Sequence, residues 1–307
     1  MEGEMELLQL KYFFELAQKE HLTEVSQSMY VSPSAISNSI SRLEEELGVQ
    51  LFDRRGRRIY LNHYGKMYFQ YVKRALEALN DGKRKIEEEK TAENLNVTVA
   101  SYHPDLLKTK IEEFMRKNSK IAVNIIDCSF KASIYEVSER ENVDLIIAAK
   151  REFQDDGWDE QCLFTDKLAI AVSAKHVLAG KESIFLEDVK DESFVCLPPS
   201  PFSLFCEEAC RKAGFELHSR IICDTFLRPE IAEYENMVIL TLEQCGNFPL
   251  YQNMHVISLK DKYIEWDTCI FWKKQRYLPH GAILLRDFLI GKYAGTERRN
   301  KNANYQV

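Results

Sequence analysis

Among side chains able to do chemistry, the first cluster is Ser32, Ser34, Ser37, Asn38, Ser41 and Arg42. Short hydroxyl and amide groups with a single cation differ from the Glu/Lys mixture of an ordinary solvated helix. Small side chains let a helix approach base edges closely, and Asn can pair bidentately with adenine N6 and N7 in a major groove. The plainer reading is a Ser-rich surface. A short distance on, Arg54, Arg55, Arg57 and Arg58 straddle Gly56. A cationic hairpin tip can touch phosphates or enter a minor groove, although a charge run by itself is usually a solvated turn. Placed directly after the Ser/Asn cluster, the arginines point to double-stranded DNA as the partner.

Other chemistries find less support. There is no nucleophile elbow, phosphate loop or dinucleotide fingerprint, so an enzyme acting through a Cys and His103 is not expected. The eight cysteines have neither a CxxC nor a Cys/His spacing suited to zinc. Neither a metal nor a cofactor is therefore anticipated. Cys206 and Cys210, at i and i+4, read as core packing, with a thiol redox pair as the alternative. A net charge of -7, from 41 basic and 48 acidic residues, excludes a histone-like coat protein but not a local basic site. Mean hydropathy is -0.35. Apolar runs such as 145–149 and 168–172 fall far short of the roughly 20 residues that span a bilayer, so no membrane partner is expected. The first residues lack a basic stretch leading into an apolar core, which predicts a cytoplasmic protein.

The elements that must position these residues follow from periodicity. Leu10, Phe13, Phe14 and Ala17 mark one face of a first helix. Thr23 is the expected N-cap of a short second helix carrying Val25, Met29 and Tyr30. Ser32 suits the N-cap and Pro33 the first turn of a third helix, with Ile36, Ile40, Leu43 and Leu47 inward and Gly48 ending it. That spacing turns the Ser/Asn face outward. Leu51/Phe52 and Ile59/Leu61 then flank the arginines as a hairpin. From 63 to 90, Tyr64, Met67, Tyr68, Tyr71, Val72, Ala75, Leu76 and Leu79 recur at helical spacing. Such a stripe packs either across a dimer or within one subunit. Gly82 and the charged run 83–90 weaken its end, and 91–96 reads as a hinge.

Residues 23–42, followed by Leu43-Glu44-Glu45-Glu46-Leu47-Gly48-Val49-Gln50-Leu51-Phe52-Asp53-Arg54, resemble the winged helix-turn-helix of LysR-type transcriptional regulators. The run L-E-x-E-L-G-x-x-L-F-x-R is specific, and the chain length also matches. The resemblance implies a homodimer formed through the linker helix, further assembly to a homotetramer, an interrupted inverted-repeat operator, and RNA polymerase as a further partner. It also implies an effector module of two Rossmann-like lobes joined by two crossovers, similar to a type 2 periplasmic binding protein. This chain departs from the family pattern at Val25-Ser26, where Ala-Ala is common, at Pro33, often Gln, and at Asn38 and Ser39, near which a basic residue is common. Operator sequence is the property those departures affect most.

The expected fold is α/β: an all-α winged helix-turn-helix with a long linker helix, then two α/β lobes. The domains are drawn at 1–62 (helix-turn-helix 23–42), 63–93 and 94–292, with a flexible tail at 293–307. Lobe I takes 94–168 and 269–292, and lobe II takes 169–268. Strands at 97–100, 122–126, 144–148, 167–173, 194–197, 220–223 and 268–272 alternate with helices at 106–116, 134–141, 204–213, 229–235 and 282–292. Ligands of such lobes sit at strand C-termini and helix N-termini. The candidate lining for a small, anionic effector is therefore Ser101, Tyr102, His103, Cys128, Ser129, Ser133, Pro199, Ser200, Phe202, Asp224 and Thr225. Relatives usually carry a Gly-rich turn in the second lobe, whereas this chain reads Tyr234-Glu235-Asn236-Met237-Val238-Ile239-Leu240-Thr241. A small-molecule-binding protein without DNA function is the remaining alternative, and the N-terminal block argues against it.

Overall fold

The computed structural model describes residues 5–55, 58–90, 95–102, 107–128, 134–140 and 143–303, with the side chains of 54, 55, 58, 139, 140 and 295–303 outside that description. The chain divides into two compact units, Met1–Lys90 and Thr91–Val307.

In the first unit, α1 (Leu7–Lys19), α2 (Leu22–Ser28) and α3 (Pro33–Leu47) precede a hairpin of β1 (Phe52–Arg55) and β2 (Arg58–Leu61) and the long α4 (His63–Lys90). Phe13, Leu16, Val25, Ile36, Leu43 and Leu51 are fully buried together, the helical period having put one apolar face of each helix inward. Ser32 caps α3 by accepting from the Ala35 N–H at 3.2 Å. Gly48 ends the helix in the left-handed region at φ +69°. The cap of α2 is His21 rather than Thr23, its Nδ1 accepting from the Glu24 N–H at 3.4 Å. The helix begins at Leu22, so Thr23 already lies inside the first turn. Gly65 lets α4 cross close to the hairpin: a Cβ there would lie 2.1 Å from the Leu51 carbonyl oxygen.

The second unit contains β3 (Leu95–Ser101), α5 (Lys108–Lys117), β4 (Ile121–Asp127), α6 (Ile134–Arg140), β5 (Leu145–Ala149) and β6 (Trp158–Ser173). After these come β7 (Ser183–Ile184), β8 (Phe194–Cys196), α7 (Pro201–Lys212), β9 (Ser219–Ile222) and α8 (Leu227–Glu235). The unit closes with β10 (Ile239–Leu242), β11 (Met254–Leu259), β12 (Glu265–Lys273) and α9 (His280–Ala303). The main sheet runs β4-β3-β5-β12-β6-β11-β7, with β10 also on β6. Strand β6 starts well before the expected 167 because its first half pairs with β12 and its second half with β10 and β11. It thus crosses from one lobe to the other. Strand β12 returns antiparallel between β5 and β6, so the sheet is mixed rather than purely parallel.

Helix α9 packs on β3, α5 and β12 of this unit: Ala282, Leu285 and Leu289 share a core with Val97, Phe114 and Ile270. The helix continues to Ala303, past the expected end at 292. Lobe II has its own core around Trp266, Phe202, Phe205 and Phe194. Trp266 meets the Phe202 ring edge-on at 5.3 Å and lies 4.9 Å from the Phe205 ring.

Candidate nucleic-acid interface and effector pocket

Helix α3 is held at both ends and open along one side. At its start, Ser32 closes the first turn and its hydroxyl lies 3.0 Å from that of Ser34. Toward its end, Glu44 Oε1 accepts from the backbone N–H groups of Leu51 at 2.7 Å and Phe52 at 3.3 Å. The helix is thereby tied to the first residue of β1. On the far strand, Glu20 Oε1 accepts from the Leu61 N–H at 2.9 Å. Asn62 donates to the Gln50 carbonyl at 2.8 Å and accepts from the Gly65 N–H at 2.9 Å, closing the hairpin base onto the start of α4.

Between these anchors, Ile36, Ile40 and Leu43 point into the core. Ser34, Asn38, Ser41 and Arg42 are exposed and Ser37 is half-buried. Ser34, Ser37, Asn38, Ser41 and Arg42 thus lie along one side of α3, with Ser37 the least exposed of them. β1 and β2 pair antiparallel with Phe52 opposite Leu61 and Arg55 opposite Arg58, as the hairpin reading required. The side chains of Arg54, Arg55 and Arg58, and all of Arg57, lie outside the described residues. One neighbour escaped sequence reasoning: Tyr30, at φ +55° between α2 and α3, is 95% exposed. A positive φ at a bulky residue is uncommon, and it aims the ring out of the turn. A period-based reading treats such a Tyr as the end of the α2 stripe and hides it.

The apolar stripe of α4 divides. Tyr68, Val72 and Leu76 pack on the first unit's core, and the Phe14 and Phe69 rings stack at 5.2 Å. Tyr64, Met67, Tyr71, Leu79 and Ile86 remain exposed. Packing within one subunit thus accounts for one face of the stripe, and a second face is exposed.

In the second unit, the lining expected from strand ends is only partly brought together. Ser101 is buried, and the Tyr102 hydroxyl accepts from the Ile134 N–H at 2.9 Å. Burial raises the Tyr102 pKa, so the ring hydroxyl stays protonated. His103, Ser129 and Ser133 lie outside the described residues. In lobe II, Ser200 caps α7, exchanging bonds with Ser203 at 3.1 and 2.8 Å. Asp224 accepts from the N–H groups of Phe226 and Leu227 at 2.8 and 3.0 Å at the start of α8. Those two are local caps. Thr225 is half-buried beside Asp224.

Pro199 and Phe202, by contrast, line a cavity of about 100 Å³ with Cys196, Cys206, Glu207 and Arg228. Arg228 is the residue missed entirely. It sits on the buried face of α8 with Ala232 one turn on. In sequence only its place on that inward face sets it apart from a surface cation. Cys206 and Cys210 are buried in the same lobe. Burial pushes the Cys206 thiol strongly up and the Cys210 thiol up to about 12, so neither carries an accessible thiolate.

Two family models match the chain: "Bacterial regulatory helix-turn-helix protein, lysR family" over residues 7–66, and "LysR substrate binding domain" over residues 89–294. The chain is 34% identical over 216 residues to the transcriptional dual regulator GltC of Bacillus subtilis (strain 168), covering 69% of this chain and 71% of that protein. It is 30% identical over 304 residues to the HTH-type transcriptional regulator YybE of the same strain, covering 94% and 100%. A full-length single-residue variant of OxyR from Pseudomonas aeruginosa superposes with a TM-score of 0.67 at 20% identity, over 94% of this chain and 95% of that one. Full-length CbnR in complex with its target DNA superposes at 0.56 and 16% identity, over 94% and 100%. These two structures show a shared fold.

Proposed function

The chain belongs to the LysR family of DNA-binding transcriptional regulators, and from that premise we propose how it reads its operator and what its second unit senses. In this reading Ser32, Ser34, Ser37, Asn38, Ser41 and Arg42 meet base edges and the nearest phosphates in a major groove. Arg54, Arg55, Arg57 and Arg58 hold phosphates beside it. Two subunits pair through the uncovered face of α4 and place two α3 helices on an interrupted inverted repeat. Dimers assemble further into a homotetramer, whose surface RNA polymerase can contact.

The observation that carries this reading is the solvent-exposed side of α3 that holds Ser34, Asn38, Ser41 and Arg42. It consists of small polar side chains on a helix anchored at Ser32 and Glu44. An anchored helix loses little freedom when it enters the groove, so contact energy is not spent on ordering. The test is binding of duplexes selected from the host genome. Arg55→Ala with Arg57→Ala should weaken all duplexes and flatten the salt dependence by about one unit of log slope per lost phosphate contact. Asn38→Ala should relax sequence preference by about 1–3 kcal/mol at one base pair. Unchanged binding in both variants would sink the assignment of the surface.

The second unit, matched by the substrate-binding model, serves in this reading as the sensor of a small anionic effector. An effector acts only through its differential affinity for two arrangements of the oligomer. The thiol-sensor alternative requires Cys206 or Cys210 to react from a buried position. Peroxide treatment followed by mass spectrometry decides it: no disulfide and unchanged operator binding would remove it.

A further inference from the structure

We infer that the Arg228 cavity inside lobe II is a binding site for the carboxylate of a small organic acid. Arg228 is only 4% exposed. Its Nη1 donates to the Leu240 carbonyl at 3.2 Å and its Nη2 to the Tyr251 hydroxyl at 3.1 Å, a hydroxyl that also lies 3.2 Å from Thr241 Oγ1. Nε has no hydrogen-bond partner. A guanidinium stays charged at any ordinary pH, and a buried charge without a counter-ion is among the most costly features a core can hold. No described carboxylate forms an ion pair with it. The surrounding thiols of Cys196, Cys206, Cys223 and Cys245 cannot supply the charge, because burial raises all four.

The same side chain lines the cavity. A guanidinium edge can donate two parallel bonds to a carboxylate, and Arg228 is the one cation among the residues lining this cavity. The walls are mostly apolar, contributed by Val195, Leu197, Phe202, Leu217 and Ile222. Its volume of about 100 Å³ is smaller than the ~150 Å³ that encloses a benzene ring. The space therefore suits a carboxylate bearing a short carbon chain. A multiply charged tetrahedral anion fits less well, having one cation to meet, apolar walls, and the Glu207 carboxylate at the rim. Binding as such does not depend on the regulator reading. That this acid is the effector does rest on it.

Isothermal titration of the full-length protein with acetate, propionate and pyruvate tests the site, with propionamide as neutral isostere and inorganic phosphate as the rival anion. Propionate should bind saturably and at least about tenfold tighter than propionamide. Arg228→Met should abolish that binding. Glu207 is exposed on α7, so Glu207→Gln should fold normally and tighten propionate several-fold by removing a like charge. That variant keeps the test decisive if Arg228→Met does not fold. The site is overturned by no saturable carboxylate heat up to ~10 mM, by equal affinity for propionamide, by phosphate binding tighter than any carboxylate, by binding undiminished in Arg228→Met, or by no tightening in Glu207→Gln. DNA binding by the same preparations separates the two readings. Carboxylate binding absent with DNA binding intact overturns only this site.

Discussion

Replacing Glu44 by Ala should loosen the hairpin without unfolding the helices, because one carboxylate oxygen serves two backbone donors where α3 hands over to β1. The bond to Leu51 is short at 2.7 Å and the one to Phe52 is long at 3.3 Å. Hydrogen bonds to a charged acceptor contribute about 1.5–3 kcal/mol each, less when the geometry is long or solvent competes. Leu51 and Phe52 are buried, whereas Glu44 itself is half-exposed. One full bond and a weak second then give about 2 kcal/mol for local opening of the hairpin. That figure corresponds to about a 30-fold fall in amide protection. Hydrogen exchange of full-length protein, followed in peptides spanning 48–62, reads this directly, with peptides of α1 as the internal control. Glu44→Gln keeps the acceptor oxygen and loses the charge, so its fall should be intermediate. Under the proposed DNA mode, a loosened hairpin also lowers affinity for every duplex alike. Protection at Leu51 and Phe52 within threefold of wild type in Glu44→Ala would refute the reasoning.

Other perturbations test other parts of the molecule. Tyr71 and Leu79 are 61% and 57% exposed on α4. Burying such a side chain contributes about 1.5–3 kcal/mol, so Tyr71→Asp with Leu79→Asp should raise the dissociation constant of an α4-paired dimer by more than about a hundredfold, read by sedimentation velocity. Asp166 is buried on β6, accepting from Lys167 N–H at 2.8 Å and Gln244 N–H at 3.4 Å, and burial lifts its pKa to about 6. Because the folded value lies above the ordinary 3.8, the protonated group stabilises the fold at low pH, and that contribution is lost as pH rises from about 4 to 6. Asp166→Asn removes that titration while losing one of the two acceptor oxygens, so its effect on the melting temperature should be more favourable at pH 7.5 than at pH 4. An equal effect at both pH values would contradict the assignment. Gly65→Ala, which sets a methyl against the Leu51 carbonyl, should destabilise the first unit in thermal unfolding by more than the roughly 1 kcal/mol of an ordinary point mutation.

The first unit was legible in sequence because each of its signals is local. Ser32, Pro33 and Gly48 mark the ends of α3, and the period of Ile36, Ile40 and Leu43 decides which face is free. The ties that fix the hairpin were not legible. Glu44 and Glu20 look like surface acids until the fold brings Leu51, Phe52 and Leu61 to them. In the second unit the helices and the parallel strands of lobe I stood out. Strands β7, β10 and β11 did not. β7 has two residues, and β10 is a short, wholly buried run without alternation. The first half of β6 reads Trp-Asp-Glu-Gln-Cys and is exposed after Trp158, where it pairs with β12 and not yet with β10 or β11. Of the candidate effector residues, Pro199 and Phe202 do line a cavity, while Ser200 and Asp224 turned out to cap helices. Strand ends attract both caps and ligands, and sequence cannot tell them apart. Arg228 was invisible for the opposite reason. Its charge marks it for solvent, and only packing reveals that it is enclosed.

The negative total charge acquires a physical meaning from this arrangement. The acids of α3 and its neighbours are used in part as backbone acceptors: Glu44 and Glu20 fasten the two strands of the hairpin. In sequence the four arginines lie between the residues so fastened, and Asp53 is the single acid among them. Four arginines on one subunit are few against the phosphate lattice of a duplex, whose nonspecific hold grows with each cation that reaches it. Under the proposed dimer, a second hairpin brought to the same face of the DNA adds to that hold. The second binding event is then intramolecular, and its strength is set by how firmly the two subunits are joined. The exposed side of α4 is where that joining is expected. Dimer-disrupting substitutions at Tyr71 and Leu79 should thus cost DNA affinity far more than either residue could through any contact of its own. If the monomeric variant bound a selected duplex within about tenfold of wild type, the coupling of acidity, hairpin and dimer would be wrong.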